Sequence, residues 1–198
     1  MALGKQAKTL NKNQISAVQN YLAGRRNALR NQTIFLLSIK AGLRAKEIAK
    51  LRWEMILDAD GAISAVMSLS DDASKGKSGR KIPLNKDLKA KLSELRQQQI
   101  QDGCYSSAGH VIRTDRADRT SPQAIVNMFS SWYRDLGLIG CSSHSGRRTF
   151  ITNAAQKITS VGGSLRDVQY LAGHSSLQTT ERYIEYSEKA RRSIVDII

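Results

Sequence analysis

Apolar residues return every three or four positions along most of the chain, and one interval, residues 63–84, replaces that rhythm with two strand-like runs. Spacing by three or four lines up one face of a helix, whereas a half-buried strand alternates. Ile15, Val18 and Leu22 share a face in a first helix after Asn11. A second helix runs from Ala28 to Ala41, with Ile34, Leu37 and Ala41 in line and Gly42 as its stop, and a short third carries Ala45 to Leu51. In the exceptional interval, Ile63 to Leu69 and Lys81 to Leu84 read as two strands. The polar segment Ser70 to Arg80 joins them, and its Gly76 and Gly79 permit a reversal, which makes a β-hairpin with a basic tip.

The helical period resumes at Asn85, with Leu88, Leu92, Leu95 and Gln99 in register and Asp102-Gly103 at the end. Ser121 as N-cap and Pro122 at the first helical position open another helix, with Ile125, Phe129, Trp132 and Leu136 on one face. Ser142 or Ser143 caps the next, which extends to about Ile158; Ser164 caps Leu165 to Ala172, Gly173 stops it, and a last helix runs through Tyr183. The expected fold is mainly α with one small antiparallel sheet, an α+β single domain over residues 1–198. Residues 188–198 form a terminal segment with Ile194, Val195 and Ile198 near one face.

The chain has 31 Lys+Arg against 17 Asp+Glu, a net charge of +14 over 198 residues. Such an excess favours a polyanionic partner, nucleic acid above all. Aromatic residues make up only 6%, too few for a stacking platform on single strands, so double-stranded DNA is the expected partner. The longest apolar stretch, Thr33 to Ser38, is far short of the roughly 20 residues of a membrane span, and a cytoplasmic location follows as the expectation. Cys104 and Cys141 read as reduced thiols, and three histidines without a CxxC pair give no structural zinc pattern.

Several chemically capable residues stand at telling intervals. His144 and Arg147 are three apart, close enough on a helix to converge on one anion. Arg44 follows the helix-ending Gly42 and has Glu47 three residues on. His174 and Tyr183 are nine apart, which on one helix of about 3.6 residues per turn puts them on opposite faces. They meet only if Gly173 and Ser175-Ser176 hold His174 in a turn. Taken singly, each pattern has an ordinary structural explanation: a polar helix face, an exposed arginine paired with Glu47, a core tyrosine.

Taken together and in order, Arg44, Lys75, His144, Arg147, His174 and Tyr183 resemble the catalytic set of the tyrosine recombinases, the phage integrase family. Ala41 to Glu47 is similar to the family's G-L-R-x-x-E, and Ser74 to Leu84 to its T-K-G-x-K hairpin with a Pro-Leu strand. His144 to Phe150 is similar to H-x-L-R-H-T-F, and Leu171 to Tyr183 to L-G-H-S-x-x-x-T-T-x-x-Y. The resemblance implies DNA cleavage through a 3′-phosphotyrosyl intermediate followed by religation, with Tyr183 as nucleophile and neither metal nor ATP as cofactor. Arg44 and Arg147 would clamp the phosphate oxygens on which charge builds. His144 suits proton transfer from the phenol, His174 a hydrogen bond to the phosphate, and Lys75, with Lys77 as the alternative, protonation of the departing 5′ oxygen. Glu47 would support the site, and Lys77, Arg80 and Arg148 would contact DNA.

Two positions depart from the family pattern: Arg148 stands where many members have histidine, and Gly146 where they have leucine. The stretch before Arg44 is short for the family's N-terminal clamping domain, so the sequence resembles a catalytic domain alone. The resemblance further implies a homotetramer on paired sites, docking of the C-terminal segment onto a neighbouring subunit, and an accessory DNA-bending protein as helper. A non-catalytic DNA-binding regulator and a type IB topoisomerase-like relaxase are the competing readings. The regulator has no use for Arg44, Lys75 and Arg147 at these offsets.

Overall fold

A computed structural model of the chain describes residues 6–71, 79–183 and 195. Helix α1 (Lys12–Ala23) opens with a reciprocal cap in which Asn11 and Gln14 each accept the other's backbone N–H. Helix α2 (Ala28–Ala41) is the centre of the molecule, buried continuously from Thr33 to Ile39 and packed by α1, α4 and α6. It ends at Gly42, whose φ of 65° is left-handed. A Cβ there would lie 2.5 Å from the Phe150 ring, so glycine is required twice over.

Helix α3 (Ala45–Lys50) starts directly after that turn, and a 3₁₀ turn (Trp53–Met55) follows. Strands β1 (Val66–Leu69) and β2 (Arg80–Pro83) pair antiparallel, with Met67 opposite Ile82 and Leu69 opposite Arg80. The first strand is shorter than its apolar pattern indicated. Ser64 N–H donates to Ile56 carbonyl at 2.9 Å and Ile63 bridges to Leu57, so this part folds back on the 3₁₀ turn.

Helices α4 (Lys86–Gln101) and α5 (Pro122–Asp135) bury the faces their periodicity defines: Leu88, Leu92, Leu95 and Gln99 on one, Ile125, Phe129 and Trp132 on the other. Ser121 Oγ caps α5 by accepting from Ala124 N–H at 3.0 Å. Helix α6 (Ser145–Lys157) begins two residues later than a serine cap would place it, because Ser142 Oγ accepts from His144 N–H at 3.3 Å and closes a local turn. His144 therefore takes the N-cap position. A second 3₁₀ turn (Ile158–Val161), α7 (Leu165–Ala172) and α8 (Leu177–Glu181) complete the described fold.

Two apolar clusters hold these elements. The larger runs from Leu10 through α2, α4 and α5 and includes the fully buried Trp53, whose indole N–H donates to Gln99 Oε1 at 2.9 Å. The smaller joins Ile151, Val168 and Ala172 with Phe150 and Tyr183, and so docks α7 and the tyrosine that follows α8 on α6. Among the described residues no helix is long and apolar enough to cross a membrane. The segment 188–198, apart from residue 195, lies outside the described residues, as do Lys75 and Lys77.

Candidate active site

The site is organised by the end of α7. Gly173, at φ 60°, lets the chain close a Schellman turn in which Gly173 N–H donates to Tyr170 carbonyl at 2.9 Å and His174 N–H to Gln169 carbonyl at 3.1 Å. Those bonds leave the next carbonyls of the helix end, Leu171, Ala172 and Gly173, without intrahelical donors. Three arginines from three other elements supply them. Arg80 Nε donates to Leu171 at 2.9 Å, Arg147 Nη2 to Ala172 at 2.5 Å and Arg44 Nη2 to Gly173 at 3.4 Å. Cations at a helix C-terminus are also favoured by its partial negative charge.

Arg147, on the first turn of α6, is 3% exposed and also donates through Nη1 to Gly42 carbonyl at 2.6 Å. It thereby bridges the ends of α2 and α7. Burial first, and then the charge of Arg44, hold its pKa below the usual arginine value. A guanidinium remains charged in proteins even so. Arg44 keeps 22% of its side chain exposed, enough to meet a ligand while ion-paired to Glu47 at 2.9 Å.

Glu47 is fully buried, and Arg80 holds it in a fork, Nη1 to Oε1 at 3.0 Å and Nη2 to Oε2 at 3.1 Å. Burial pushes its carboxyl upward, but the hydrogen bonds and charge of Arg80, with help from Arg44, outweigh this and leave it below the ordinary carboxylate value. This corrects one expectation drawn from the sequence. Arg80 is not a DNA contact: its side chain is 1% exposed and its guanidinium is spent on Glu47 and Leu171.

His174 and Tyr183 come together across the turn. Their rings are stacked, centroids 5.4 Å apart and planes 26° from parallel. Helix α8 stops at Glu181, two residues before Tyr183, and Tyr183 N–H closes a turn onto Thr180 carbonyl at 3.0 Å. His174 Nδ1 lies 3.0 Å from Thr180 Oγ1. Burial, followed by the charges of Arg147, Arg44 and Arg80, pushes the His174 pKa down to about 4. Burial and the same pair, Arg147 and Arg44, lower that of His144 as well.

A cleft of about 330 Å³ is lined by Gln6, His144, Arg147, Arg148 and Tyr183. Arg148 donates to Gln6 Oε1 and its guanidinium carbon sits 5.8 Å from the centre of the Tyr183 ring. The N-terminal arm is stitched along this wall, Lys8 N–H to Gly140 carbonyl at 3.0 Å and Leu10 N–H to Thr149 Oγ1 at 2.8 Å. A larger cleft, about 720 Å³, lies at the other end of α3 between Lys50, Arg52, His110 and Arg119 and contains none of these groups. Thr180 and the structural task of Arg80 escaped the sequence reading. The threonine was visible only as part of the T-T step before Tyr183.

A helical domain with one hairpin, in which arginines, a histidine and a tyrosine line one cleft and a second histidine, held in an αL turn, stacks on that tyrosine, is the catalytic fold of tyrosine recombinases. The crystal structure of XerA recombinase superposes with a TM-score of 0.73 at 19% identity, over 94% of this chain and 63% of that one. XerH site-specific recombinase bound to palindromic difH substrate, a post-cleavage complex, gives 0.74 at 18% identity over 96% of this chain and 52% of that one. Residues 8–190 match the Phage integrase family, and the chain belongs to it. Tyrosine recombinase XerC of Shewanella amazonensis is 30% identical over 184 residues, 90% of this chain and 58% of that protein. Tyrosine recombinase XerA of Pyrococcus horikoshii is 27% identical over 168 residues, 85% of this chain and 54% of that protein. The chain thus spans little more than half the length of these curated relatives.

Proposed function

We propose that this chain is the catalytic domain of a site-specific DNA recombinase that cuts and rejoins double-stranded DNA through a 3′-phosphotyrosyl intermediate. The observation that carries the reading is the stack of Tyr183 on His174 beside a cleft lined by His144 and Arg147. Tyr183 Oη attacks the scissile phosphorus, the bond from phosphorus to the 5′ oxygen breaks, and a phosphotyrosyl diester forms. The phenol proton passes to His144, whose burial and neighbouring Arg147 and Arg44 lower its pKa and so favour the neutral, proton-accepting imidazole. The departing 5′ oxygen takes a proton from Lys75, a role that rests on the family motif. Attack by a partner strand's 5′ hydroxyl then reverses each bond change, and no metal or ATP is consumed because the diester energy is retained.

Arg44 and Arg147 meet the nonbridging oxygens, their other donors fixed on Glu47 and on backbone carbonyls. Groups already held in place need no reorganisation as charge develops. If the Thr180 hydroxyl donates to His174 Nδ1, the ring proton sits on Nε2 and is free for the phosphate. Arg148 and Lys77 add contacts to the DNA backbone. Relatives solved with their DNA, among them XerH with difH and a lambda integrase dimer on a COC′ core site, support DNA as partner. A tetramer on paired sites, a C-terminal segment docked on a neighbour, an accessory bending protein and a location at the nucleoid belong to the same proposal.

The test is covalent trapping on nicked fragments of the native chromosome without metal. A denaturant-resistant protein–DNA band is expected with the wild type and none with Tyr183→Phe, while Arg147→Ala slows its formation about a hundredfold or more. A band that persists in Tyr183→Phe overturns the assignment. Sequence-specific gel shifts with no band in the wild type replace it with the DNA-binding regulator.

A further inference from the structure

Arg80 stands outside the catalytic set, yet its side chain is among the most completely engaged in the molecule. It forks onto both oxygens of Glu47 at 3.0 and 3.1 Å and donates through Nε to Leu171 carbonyl at 2.9 Å. Glu47 in turn accepts from the Arg44 backbone N–H at 2.8 Å and from Arg44 Nη1 at 2.9 Å, and Arg44 Nη2 reaches Gly173 carbonyl. The bonds close a ring: Arg44 to Glu47, Glu47 to Arg80, Arg80 to the α7 end, and the α7 end back to Arg44. Next to that end lies His174.

The contact is close on every side. A Cβ at Gly173 would sit 2.8 Å from Arg80 Nη1, so the turn is laid directly on the guanidinium. One residue further along β2, Lys81 N–H donates to the Tyr170 hydroxyl at 3.2 Å, so the strand is fastened to α7 twice. A buried ion pair is a poor means of gaining stability, since apolar side chains of similar volume often do as well. Its directional bonds do what apolar packing does not, which is to fix one orientation of several groups at once.

We infer that Arg80 is a positioning residue for strand cleavage: it holds Glu47 and the α7 turn in the arrangement that aims Arg44 and His174 at the same phosphate. The inference rests on the proposed recombinase chemistry for its kinetic consequence but not for its structural one. Lysine at this position keeps the charge and loses the fork; methionine keeps the approximate length and loses both.

The experiment compares wild type, Arg80→Lys and Arg80→Met in three measurements: single-turnover formation of the covalent adduct, DNA affinity by gel shift, and the NMR titration midpoint of His174. His174 faces Arg44 from α3, Arg147 from α6, Arg80 from β2 and the Tyr183 phenol, with Glu47 behind the arginines. Arg80→Met is expected to slow adduct formation about a hundredfold, the scale of a small misplacement of reacting groups, at unchanged DNA affinity. Its His174 midpoint rises as a positive neighbour is lost. Arg80→Lys is expected to keep the midpoint near the wild-type value and to recover only part of the rate. Wild-type rates in either variant, or a rate loss matched by an equal loss of DNA affinity, overturn the inference. If Arg80→Met does not fold, as circular dichroism would reveal, Arg80→Lys decides by the same two criteria. Should the wild type form no adduct, the recombinase reading fails instead, and an unmoved His174 midpoint in Arg80→Met then overturns this one separately.

Discussion

His174 and Tyr183 lie ring against ring at 5.4 Å, although nine residues separate them and a regular helix would turn them apart. The encounter depends on the Schellman turn at Gly173 and on the early end of α8 at Glu181. Thr180, the last buried residue of α8, touches His174 Nδ1 and so sets the imidazole's orientation relative to the phenol.

Thr180→Val removes the hydroxyl and keeps the shape. Adduct formation is expected to slow about tenfold, the worth of one hydrogen bond of ~1.4 kcal/mol. DNA affinity by gel shift stays as in the wild type. An unchanged single-turnover rate would show that the ring is oriented by the Tyr183 stack alone.

Among the described residues His110, His144 and His174 all have pKa values lowered by burial and neighbouring arginines, that of His174 to about 4. Proton NMR titration of the free protein is expected to give three midpoints below the ordinary histidine value of about 6.5. The linkage has a definite sign. A base whose folded pKa is depressed contributes stability in full above about 6.5, and that contribution is lost as pH falls from there toward the folded value. Thermal midpoints should therefore fall as pH is lowered through this window, and a variant with His174→Gln should lose part of the dependence. A His174 midpoint at or above 6.5 would contradict the electrostatics described.

Glu47→Ala leaves Arg80 buried without its carboxylate. The expected loss is about 3–5 kcal/mol in urea unfolding, the usual cost of breaking a buried pair by removing one member. The wild type should show the same dependence through pH. With its folded pKa below that of the free carboxyl, Glu47 contributes stability above about 4.5, which disappears as acid protonates it in the fold. A loss under 1 kcal/mol would mean that water replaces the carboxylate.

The sequence made some of this architecture plain and concealed the rest for physical reasons. Gly42 and Gly173 could be read as helix stops because positive φ at a helix end is a local requirement, and both adopt it. The hairpin and the apolar faces of α4 and α5 were equally local. Arg80 was misread because a basic residue beside a basic hairpin tip looks solvated. Its partners are 33 and 91 residues away, and nothing in its own neighbourhood announces them. Glu47 looked like the surface partner of Arg44 for the same reason. Gly146, a departure from the family's leucine, acquires a reason only in three dimensions: a Cβ there would lie 2.4 Å from Ser38 Oγ, where α6 presses on α2.

Among the described residues, the three guanidinium groups at the α7 carbonyls are accompanied by one carboxylate, Glu47, which pairs with Arg44 and Arg80, so these four groups together carry a surplus of two positive charges. A DNA diester at rest carries one negative charge, whereas the pentacovalent phosphorus formed when a deprotonated phenol attacks it carries two. The formal charge of these four groups thus matches that of the phosphorane and exceeds that of the resting diester. An imbalance of this kind works as differential binding, lowering the barrier without tightening the hold on uncut DNA to the same degree. Glu47, by cancelling one charge of three, sets that balance as well as the geometry.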